Sequence, residues 1–400
     1  MSLKKLMNNL GNDNVIKSLI DCIKCSFGVG ECDNIECGDL KALADLAIMH
    51  AVDCVIYPTL QKKFQDNNEI MQILSERYNR AIMIDATQQY YLELLENTFE
   101  QNHIRYCVMK GPVIKKLYPS SEMRKSGDID IFVDDKNTDK VKDLMTGLGF
   151  DVKTFNKAVA HDEYCIDRVI EVEIHRTLIS NKCPWDKECQ KIAERLVVSD
   201  GHKFKYEMTK EDYYLYMIAH MAKHMRYSGI GIRMVLDVWV YLNAYGDILD
   251  FDELNSRLEK CELVEFENNV RNLCAYWFDG KEALEKTIEL GTYIAASGDF
   301  GTYEQLLSSE FARNAGKSKS TLKGKLRLYL GIYFMPYKHM KQKYPILSKM
   351  PILLPFFWTY RAVIGIVNDK EKVAGILNRY ENVDIDQGKA IIDFKKRIGL

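Results

Sequence analysis

Two aspartates on one predicted strand, Asp128 and Asp130, are the residues of this sequence best suited to bind a metal ion. The segment from Asp128 to Val133 alternates in a period of two, which is typical of a half-buried strand. Successive strand side chains point to opposite faces, so the two carboxylates share a face, about 7 Å apart along the chain. Carboxylates this close repel each other unless a positive charge lies between them, and Mg²⁺ prefers such hard oxygen ligands. A solvated strand end is the alternative interpretation.

A basic turn precedes these aspartates in the chain. Residues 104–109 form an apolar run that ends at Lys110 and Gly111, which predicts a strand, a tight turn and then a helix over 112–118. Glycine lets a ligand approach the backbone, and the start of a helix favours an anion, so this turn is a candidate phosphate site. Arg124 can add positive charge beside the same carboxylates. Phosphate held next to paired aspartates is what a site for a magnesium nucleotide requires.

A third acidic group is predicted on the strand 169–175, where Glu171, Glu173 and His175 point to one face. Buried strands rarely place two acids and a histidine on one face without a function, although an edge strand facing solvent can do so. Glu173 is the candidate for the third metal ligand, and Glu171 is the alternative. His161, on a neighbouring predicted strand, either approaches the same site or is a surface or structural histidine.

The order of these elements resembles that of the uncharacterised nucleotidyltransferase family, which has a core of the DNA polymerase β type. The residues that carry the resemblance are Lys110-Gly111, Tyr118, Arg124, Asp128-Ile129-Asp130 and Val172-Glu173-Ile174-His175. The superfamily usually has a Gly-Ser turn after its first strand; here Lys-Gly takes that place, and 16 residues separate Gly111 from Asp128. The resemblance implies an α+β fold in which a mixed sheet with helices is flanked by N-terminal and C-terminal helical regions.

The resemblance also implies a reaction, in which an NMP group moves from an NTP to a hydroxyl-bearing small molecule or protein and pyrophosphate leaves. Asp128, Asp130 and Glu173 are expected to be the catalytic residues and to hold Mg²⁺ or Mn²⁺, with general base as the other role for Glu173. The residues expected to bind the nucleotide are Lys110, Gly111, Arg124, Ser126, Gly127, His175, Lys223 and His224. A nucleotide-binding scaffold without turnover is the alternative, and the presence of all three carboxylates argues against it.

A predicted helix further along the chain carries His220 and His224, which are four residues apart and can share a face. A metal pair is disfavoured because HxxxH lacks the glutamate of a zinc-protease helix. Lys223 or His224 beside phosphate or the acceptor is the functional interpretation, and packed histidines are the alternative. Arg233 and Asp237, also four residues apart, are expected to form an ion pair.

The periodicity divides the chain into three regions: an N-terminal helical region over 1–98, a nucleotidyltransferase core over 99–200 and a C-terminal helical region over 201–400. Beyond Pro184 the pattern is helical nearly to the end of the chain. The segment 318–361 is basic and aromatic, and prolines interrupt it. We expect it to pack as short helices, with a peripheral membrane contact as the alternative.

The amino-acid composition indicates which partners and which cellular compartment to expect. The 400 residues carry 55 basic and 57 acidic side chains, so no overall basic field recruits nucleic acid, and a small-molecule or protein acceptor is favoured. The N-terminal residues lack the apolar region of a signal peptide, and the sequence contains no apolar run of about 18 residues that predicts a membrane span. The 11 cysteines are therefore expected to be reduced thiols in the cytoplasm. The spacing of Cys22, Cys25, Cys32 and Cys37 disfavours a zinc site.

Overall fold

The computed structural model describes residues 13–30, 32, 35, 37–64, 69–156, 160–167, 169–179, 183–299, 301, 330, 333–368, 370 and 385–400. The chain divides into two compact units: one comprises residues 7–301 with 398–400, and the other comprises residues 1–6 with 302–397. A mixed sheet lies in the first unit, and helical segments precede and follow it along the chain. The predicted α+β fold is therefore confirmed.

Helices precede the sheet, as the spacing of apolar residues predicts. They are α1 (Asp13–Ser26), α2 (Leu40–Met49), α3 (Asp53–Lys63) and α4 (Glu69–Gln101). The Asp39 side chain accepts a hydrogen bond from the Ala42 N–H at 3.0 Å and so begins α2. Near the end of α4, Leu95 and Phe99 are fully buried in the core beneath the sheet.

Seven strands form one sheet in the order β3-β4-β5-β2-β1-β7-β6. They are β1 (Tyr106–Val108), β2 (Asp128–Val133), β3 (Asp151–Thr154), β4 (His161–Ile166), β5 (Ile170–His175), β6 (Val197–Val198) and β7 (Lys205–Glu207). Strand β2 runs parallel to β5 and antiparallel to β1. The helices between the strands are α5 (Gly111–Ile114), α6 (Thr138–Gly147) and α7 (Asp186–Gln190).

The sheet has one apolar face and one polar face. Alternate residues of β2 and β5 are fully buried against α4 and α6, and they are Ile129, Ile131, Val133, Ile170, Val172 and Ile174. Each such side chain contributes about 1.5 to 3 kcal/mol when it is fully buried. The residues between them point to the opposite face, where the carboxylates of β2 and β5 lie.

Two of the predicted elements differ from the structure. The chain beyond Pro184 is not helical throughout, because β6 and β7 lie there, and β7 extends the sheet by pairing in parallel with β1. Strands of two and three residues are too short to show a period, and Glu100 stabilises β7 by accepting the Lys205 N–H at 2.8 Å. The predicted helix over 112–118 is a single α-helical turn followed by a 3₁₀ turn, Lys115–Leu117.

Helices follow the sheet: α8 (Lys210–Tyr227), α9 (Ile232–Tyr245), α10 (Phe251–Lys260), α11 (Val264–Phe278) and α12 (Glu285–Ala295). Those of the second unit are α13 (Tyr337–Lys343), α14 (Leu354–Asn368) and α15 (Ile385–Arg397). Residues 318–329, 331 and 332 of the basic aromatic segment lie outside the described residues. Among the helices that the structure describes, none is long and apolar enough to cross a membrane.

The cysteines are not all reduced thiols. Cys25, near the end of α1, forms a disulfide with Cys32, and their Cα atoms are 5.4 Å apart, which is within the range for this bond. The other nine cysteines are free and buried. The expectation of 11 reduced thiols is therefore wrong for one pair, which the end of α1 and the following residues bring together.

Candidate functional site

The three predicted metal ligands lie together on the polar face of the sheet. The parallel register of β2 and β5 places Asp130 opposite Glu173, and Asp128 is two residues before Asp130 on the same face. Each of the three residues offers one carboxylate oxygen, and these oxygens lie within 4.8 Å of one another. Three oxygen donors at this separation fit a hard divalent cation such as Mg²⁺ or Mn²⁺.

The alternative ligand, Glu171, is placed differently although it is opposite Asp128 in the register. Its carboxylate accepts a hydrogen bond from the Lys153 ammonium at 2.5 Å, and 57% of its side chain is exposed. Glu171 therefore belongs to a surface ion pair, and the structure brings Glu173 rather than Glu171 to the aspartates.

Lys110 lies directly against this cluster of three carboxylates. Its Nζ is 2.5 Å from Asp130 Oδ1, and its carbonyl accepts a hydrogen bond from the Tyr213 hydroxyl at 3.1 Å. The backbone at Lys110 has φ +50° and ψ −123°, a sparsely populated region that costs a side-chain-bearing residue about 1 to 3 kcal/mol. Burial lowers the pKa of Lys110, but the charge of Asp130 outweighs it, so the pKa is raised and the ammonium stays charged.

His175 lies between two of the carboxylates. Its Nε2 is 2.7 Å from Asp130 Oδ1 and 3.0 Å from Glu173 Oε2. Burial disfavours the imidazolium, but the hydrogen bonds to both carboxylates outweigh burial and raise the pKa of His175. On the adjacent strand, His161 is opposite His175 in the register, and its Nε2 is 3.7 Å from Glu173 Oε1.

The carboxylates differ in their affinity for protons. Burial and the negative charge of Asp130 raise the pKa of Asp128 to about 6. Burial also acts on Asp130 and Glu173, but the charge of Lys110 and the hydrogen bond from His175 outweigh it, lowering the pKa of Asp130 to about 2 and also lowering the pKa of Glu173. Three carboxylates share this face with the Lys110 ammonium, so the cluster retains negative charge that favours a further cation.

Arg124 is engaged away from the carboxylates. Its guanidinium pairs with Asp237 at two points, Nε to Oδ1 at 3.2 Å and Nη2 to Oδ2 at 2.8 Å, and the Tyr118 hydroxyl donates to the same carboxylate at 2.7 Å. The expected ion pair between Arg233 and Asp237 is wrong, because Arg233 pairs with Asp299 at 2.8 Å. Arg124 thus ties the segment before β2 to α9.

Gly111, Ser126 and Gly127 form the turn beside Asp128. A side chain at position 111 would collide with the Ser126 side chain, so glycine is needed there for close packing. The Ser126 hydroxyl donates to the Asp128 carbonyl at 3.1 Å, and Gln88 of α4 donates to the Ser126 carbonyl at 3.1 Å. In contrast, a Cβ at Gly127 would meet no described atom within 4 Å, so open space lies directly before Asp128.

Helix α8 presents a row of ring side chains to this face of the sheet. The Tyr216 ring lies between those of Tyr213 and His220, and the Tyr213 hydroxyl donates to the Lys110 carbonyl. Burial raises the pKa of Tyr216, and the negative charges of Asp130, Asp128 and Glu173 raise it further. The Tyr216 hydroxyl is buried and forms no hydrogen bond with any described residue. Tyr216 is a candidate site residue that the sequence analysis missed.

The two histidines of α8 continue this row. Their Nε2 atoms are 3.0 Å apart, and burial lowers the pKa of both, to about 4 for His224, so both rings are neutral at pH 7. The charge of Lys110 lowers both pKa values further, which is consistent with a position near the site. Lys223, one residue before His224, adds its own charge to the effect. For His220 the sequence predicts either half of a metal pair, which is disfavoured, or a packed histidine.

The chain matches a family of known proteins. The profile of a family described as "Uncharacterised nucleotidyltransferase" matches residues 36–279, more than half of the chain. The match lies within the larger compact unit and includes the three carboxylates, Lys110, His175 and all of α8. No curated protein and no solved structure matches the chain.

Proposed function

The chain belongs to the uncharacterised nucleotidyltransferase family, and on this premise we propose that it moves an NMP group from an NTP to a hydroxyl group of a small molecule or protein. The observation that carries the proposal is the convergence of Asp128, Asp130 and Glu173 within the matched region. The formal net charge of −2 favours such an acceptor over a polynucleotide.

In this proposal the three carboxylates hold Mg²⁺ or Mn²⁺. The ion, when bound, supplies Lewis-acid stabilisation of the negative charge on the phosphate oxygens. Glu173 serves as a ligand rather than as a general base, because its lowered pKa makes it a weak base near neutral pH. Its hydrogen bond with His175 holds the carboxylate in place beside Asp130.

The nucleotide phosphates are proposed to lie in the open space next to Gly127, within reach of Lys110. Lys110 stabilises the charge that develops as the bond between the α-phosphorus and the bridging oxygen breaks and pyrophosphate leaves. Helix α5 is a single turn, so few peptide dipoles add up at its start. Lys110 therefore contributes more to phosphate binding than the start of this helix.

The acceptor hydroxyl oxygen forms the new bond to the α-phosphorus and gives up its proton. Helix α8 is the proposed acceptor side of the site, where Lys223 adds positive charge and the neutral imidazole of His224 can accept a hydrogen bond from the acceptor hydroxyl, whose proton leaves to solvent. Arg124 is proposed to act by positioning the turn before β2, since Asp237 occupies its guanidinium. Its predicted contact with phosphate, like the predicted roles of Gly111 and Ser126, stays a prediction.

Calorimetric titration with ATP, CTP, GTP and UTP in Mg²⁺ tests the proposal. We expect wild type to bind at least one nucleotide in a metal-dependent way, and the Asp128→Asn/Asp130→Asn variant to lose this binding. Asp151→Asn, an exposed aspartate on β3, is the matched control and keeps it. Wild-type affinity in the double variant, or no binding of any of the four nucleotides, would overturn the proposal. Binding without pyrophosphate release across an acceptor screen would favour the scaffold alternative.

A peripheral membrane contact is a second proposal, and one observation favours it. Helix α14 exposes apolar side chains at helical spacing, namely Phe356, Tyr360, Val363 and Val367. Co-sedimentation of the full chain with anionic liposomes tests it. We expect Phe356→Ser/Val363→Ser to reduce the bound fraction, whereas Ile288→Ser, an exposed apolar residue of α12, leaves it unchanged. Equal sedimentation of all three proteins would reject this contact.

A further inference from the structure

Two histidines lie beside the cluster of three carboxylates, on neighbouring antiparallel strands. The register of β4 and β5 places His161 opposite His175, and their ring centroids are 5.1 Å apart. His175 is buried and His161 is half-buried, so one ring faces the interior of the site and the other lies at its edge. This pair is not needed for a site made of carboxylate oxygens alone.

Glu173 offers one oxygen to each histidine. His175 Nε2 is 3.0 Å from Glu173 Oε2, and His161 Nε2 is 3.7 Å from Glu173 Oε1. One ligand atom from each of the three residues lies within 4.8 Å of the others. Metal–nitrogen and metal–oxygen bonds of about 2.0 to 2.2 Å place neighbouring ligand atoms roughly 3 to 3.5 Å apart, so small side-chain rotations would suffice to enclose an ion.

We propose that His161, Glu173 and His175 form a second metal site, which takes a transition-metal ion such as Mn²⁺ or Zn²⁺ rather than Mg²⁺. Imidazole nitrogen is a good ligand for zinc and other transition metals, whereas magnesium prefers an all-oxygen set. Ligands from two adjacent strands are fixed by the sheet, which holds them in place before the ion arrives.

Two neighbours of the three ligands bear on the proposed site. Asp130 Oδ1 is 2.7 Å from His175 Nε2, so this carboxylate can serve as a fourth ligand or keep its place in the magnesium site. Glu163 Oε1 is 3.4 Å from His161 Nε2, so it lies beside the same ring nitrogen and can supply a further oxygen ligand. The competing explanation is that His175 only holds Asp130 in position and His161 only pairs with Glu163.

Metal titration of the chelator-treated full chain without nucleotide separates these explanations. We expect His161→Ala to weaken Zn²⁺ binding at least tenfold by calorimetry, and to leave Mg²⁺ binding within about twofold. His202→Ala is the matched control, because this half-exposed histidine also pairs with a carboxylate, Glu100, at 3.5 Å. Equal Zn²⁺ affinities for wild type and His161→Ala would overturn the proposal.

Pulsed electron paramagnetic resonance of bound Mn²⁺ gives a second readout. We expect coupling to imidazole nitrogen in wild type and in Asp128→Asn, with less coupling in His161→Ala. Bound Mn²⁺ without nitrogen coupling in wild type would assign it to the carboxylates alone and overturn the second site. The second metal site is tested without nucleotide. It can therefore be absent while nucleotide binding is observed, and nucleotide binding can be absent while this site binds metal.

Discussion

Arg124 and Asp237 form a buried ion pair across 113 residues of sequence, with Arg124 Nη2 2.8 Å from Asp237 Oδ2. The pair joins the segment before β2 to α9, and each side chain is about nine-tenths buried. The charge of Asp237 offsets the burial of Arg124, whose pKa is raised, so the guanidinium remains charged. The aspartates of β2 therefore owe part of their position to a helix far along the chain.

Arg124→Lys is expected to lower the free energy of unfolding by about 1 to 3 kcal/mol, because lysine cannot make the two-point contact with Asp237. Arg124→Met is expected to cost more, about 3 to 5 kcal/mol, since it leaves a buried carboxylate without its cation. Urea denaturation measures both. Lys153→Gln, which breaks the exposed pair with Glu171, is the control and should leave stability almost unchanged. Similar costs for Arg124→Lys and Lys153→Gln would contradict the prediction.

The two glutamates of β5 provide a matched test of the third carboxylate. Glu173→Gln is expected to weaken Mg²⁺-dependent nucleotide binding by on the order of a hundredfold, because it removes a charged ligand near Asp128 and Asp130. Glu171→Gln is expected to change it by about twofold at most, since that side chain is exposed and bound to Lys153. Calorimetry with the best nucleotide measures both, and the reverse order of effects would assign the role to Glu171.

Tyr216→Phe should raise the free energy of unfolding but weaken nucleotide binding. Removing a buried hydroxyl that bonds to no described residue is expected to stabilise the protein by about 1 kcal/mol. The same change is expected to weaken nucleotide binding severalfold, because the hydroxyl is free to bind a ligand near the carboxylates. Tyr164→Phe is the control: its buried hydroxyl also bonds to no described residue, but its ring belongs to the core on the apolar face of the sheet. Unchanged nucleotide affinity in Tyr216→Phe would remove this residue from the site.

His50 should make the protein less stable in mild acid. Its Nδ1 accepts the Ile232 N–H at 3.2 Å and its Nε2–H donates to the Ala295 carbonyl at 3.0 Å, so the buried ring is neutral. Burial lowers its pKa from 6.5 to about 4. Between these two pH values the unfolded chain takes up a proton that the folded chain does not. The free energy of unfolding therefore decreases as the pH is lowered from 6.5 to 4, by about 3 kcal/mol in total.

Urea denaturation between pH 7 and pH 4 measures this loss. The His50→Gln variant is less stable at pH 7 but should lose less stability on acidification than wild type. His202→Gln, which changes a half-exposed histidine, should show the wild-type slope. Parallel pH profiles of wild type and His50→Gln would show that His50 is not the acid-sensitive group.

The disulfide between Cys25 and Cys32 predicts a dependence on redox conditions. Because it closes a short loop, with a sequence separation of 7, we expect dithiothreitol to lower the free energy of unfolding by about 2 to 3 kcal/mol. The Cys25→Ser/Cys32→Ser variant should have the stability of the reduced protein under both conditions. An equal response of variant and wild type to dithiothreitol would assign the effect to other cysteines.

Local patterns predicted how several candidate site residues are oriented on their strands. The period of two places Asp128 and Asp130 on one face of their strand, and Glu173 and His175 on one face of theirs, because strand geometry depends on near neighbours. The apolar run before Lys110 likewise predicts a strand and a turn. These features need no knowledge of the rest of the chain.

Contacts between distant segments could not be predicted in this way. Arg233 is four residues from Asp237, but the remote Arg124 takes that carboxylate because the fold brings the two side chains together. Helix α8 is buried on several faces, so its spacing alone does not show that Tyr216 faces the carboxylates. Strand β7 exists through its pairing with β1, about 100 residues earlier, and no local pattern marks it.

The pairing of Arg124 with Asp237 also has a consequence for synthesis on the ribosome. At about 5 to 20 residues per second, Asp237 is added on the order of ten seconds after Arg124. Through that interval the nascent chain holds the strand with both aspartates, but the carboxylate that later neutralises Arg124 does not yet exist. The turn before β2 can reach its final position only late in translation. Nascent chains that end before α9 are therefore expected to bind chaperones.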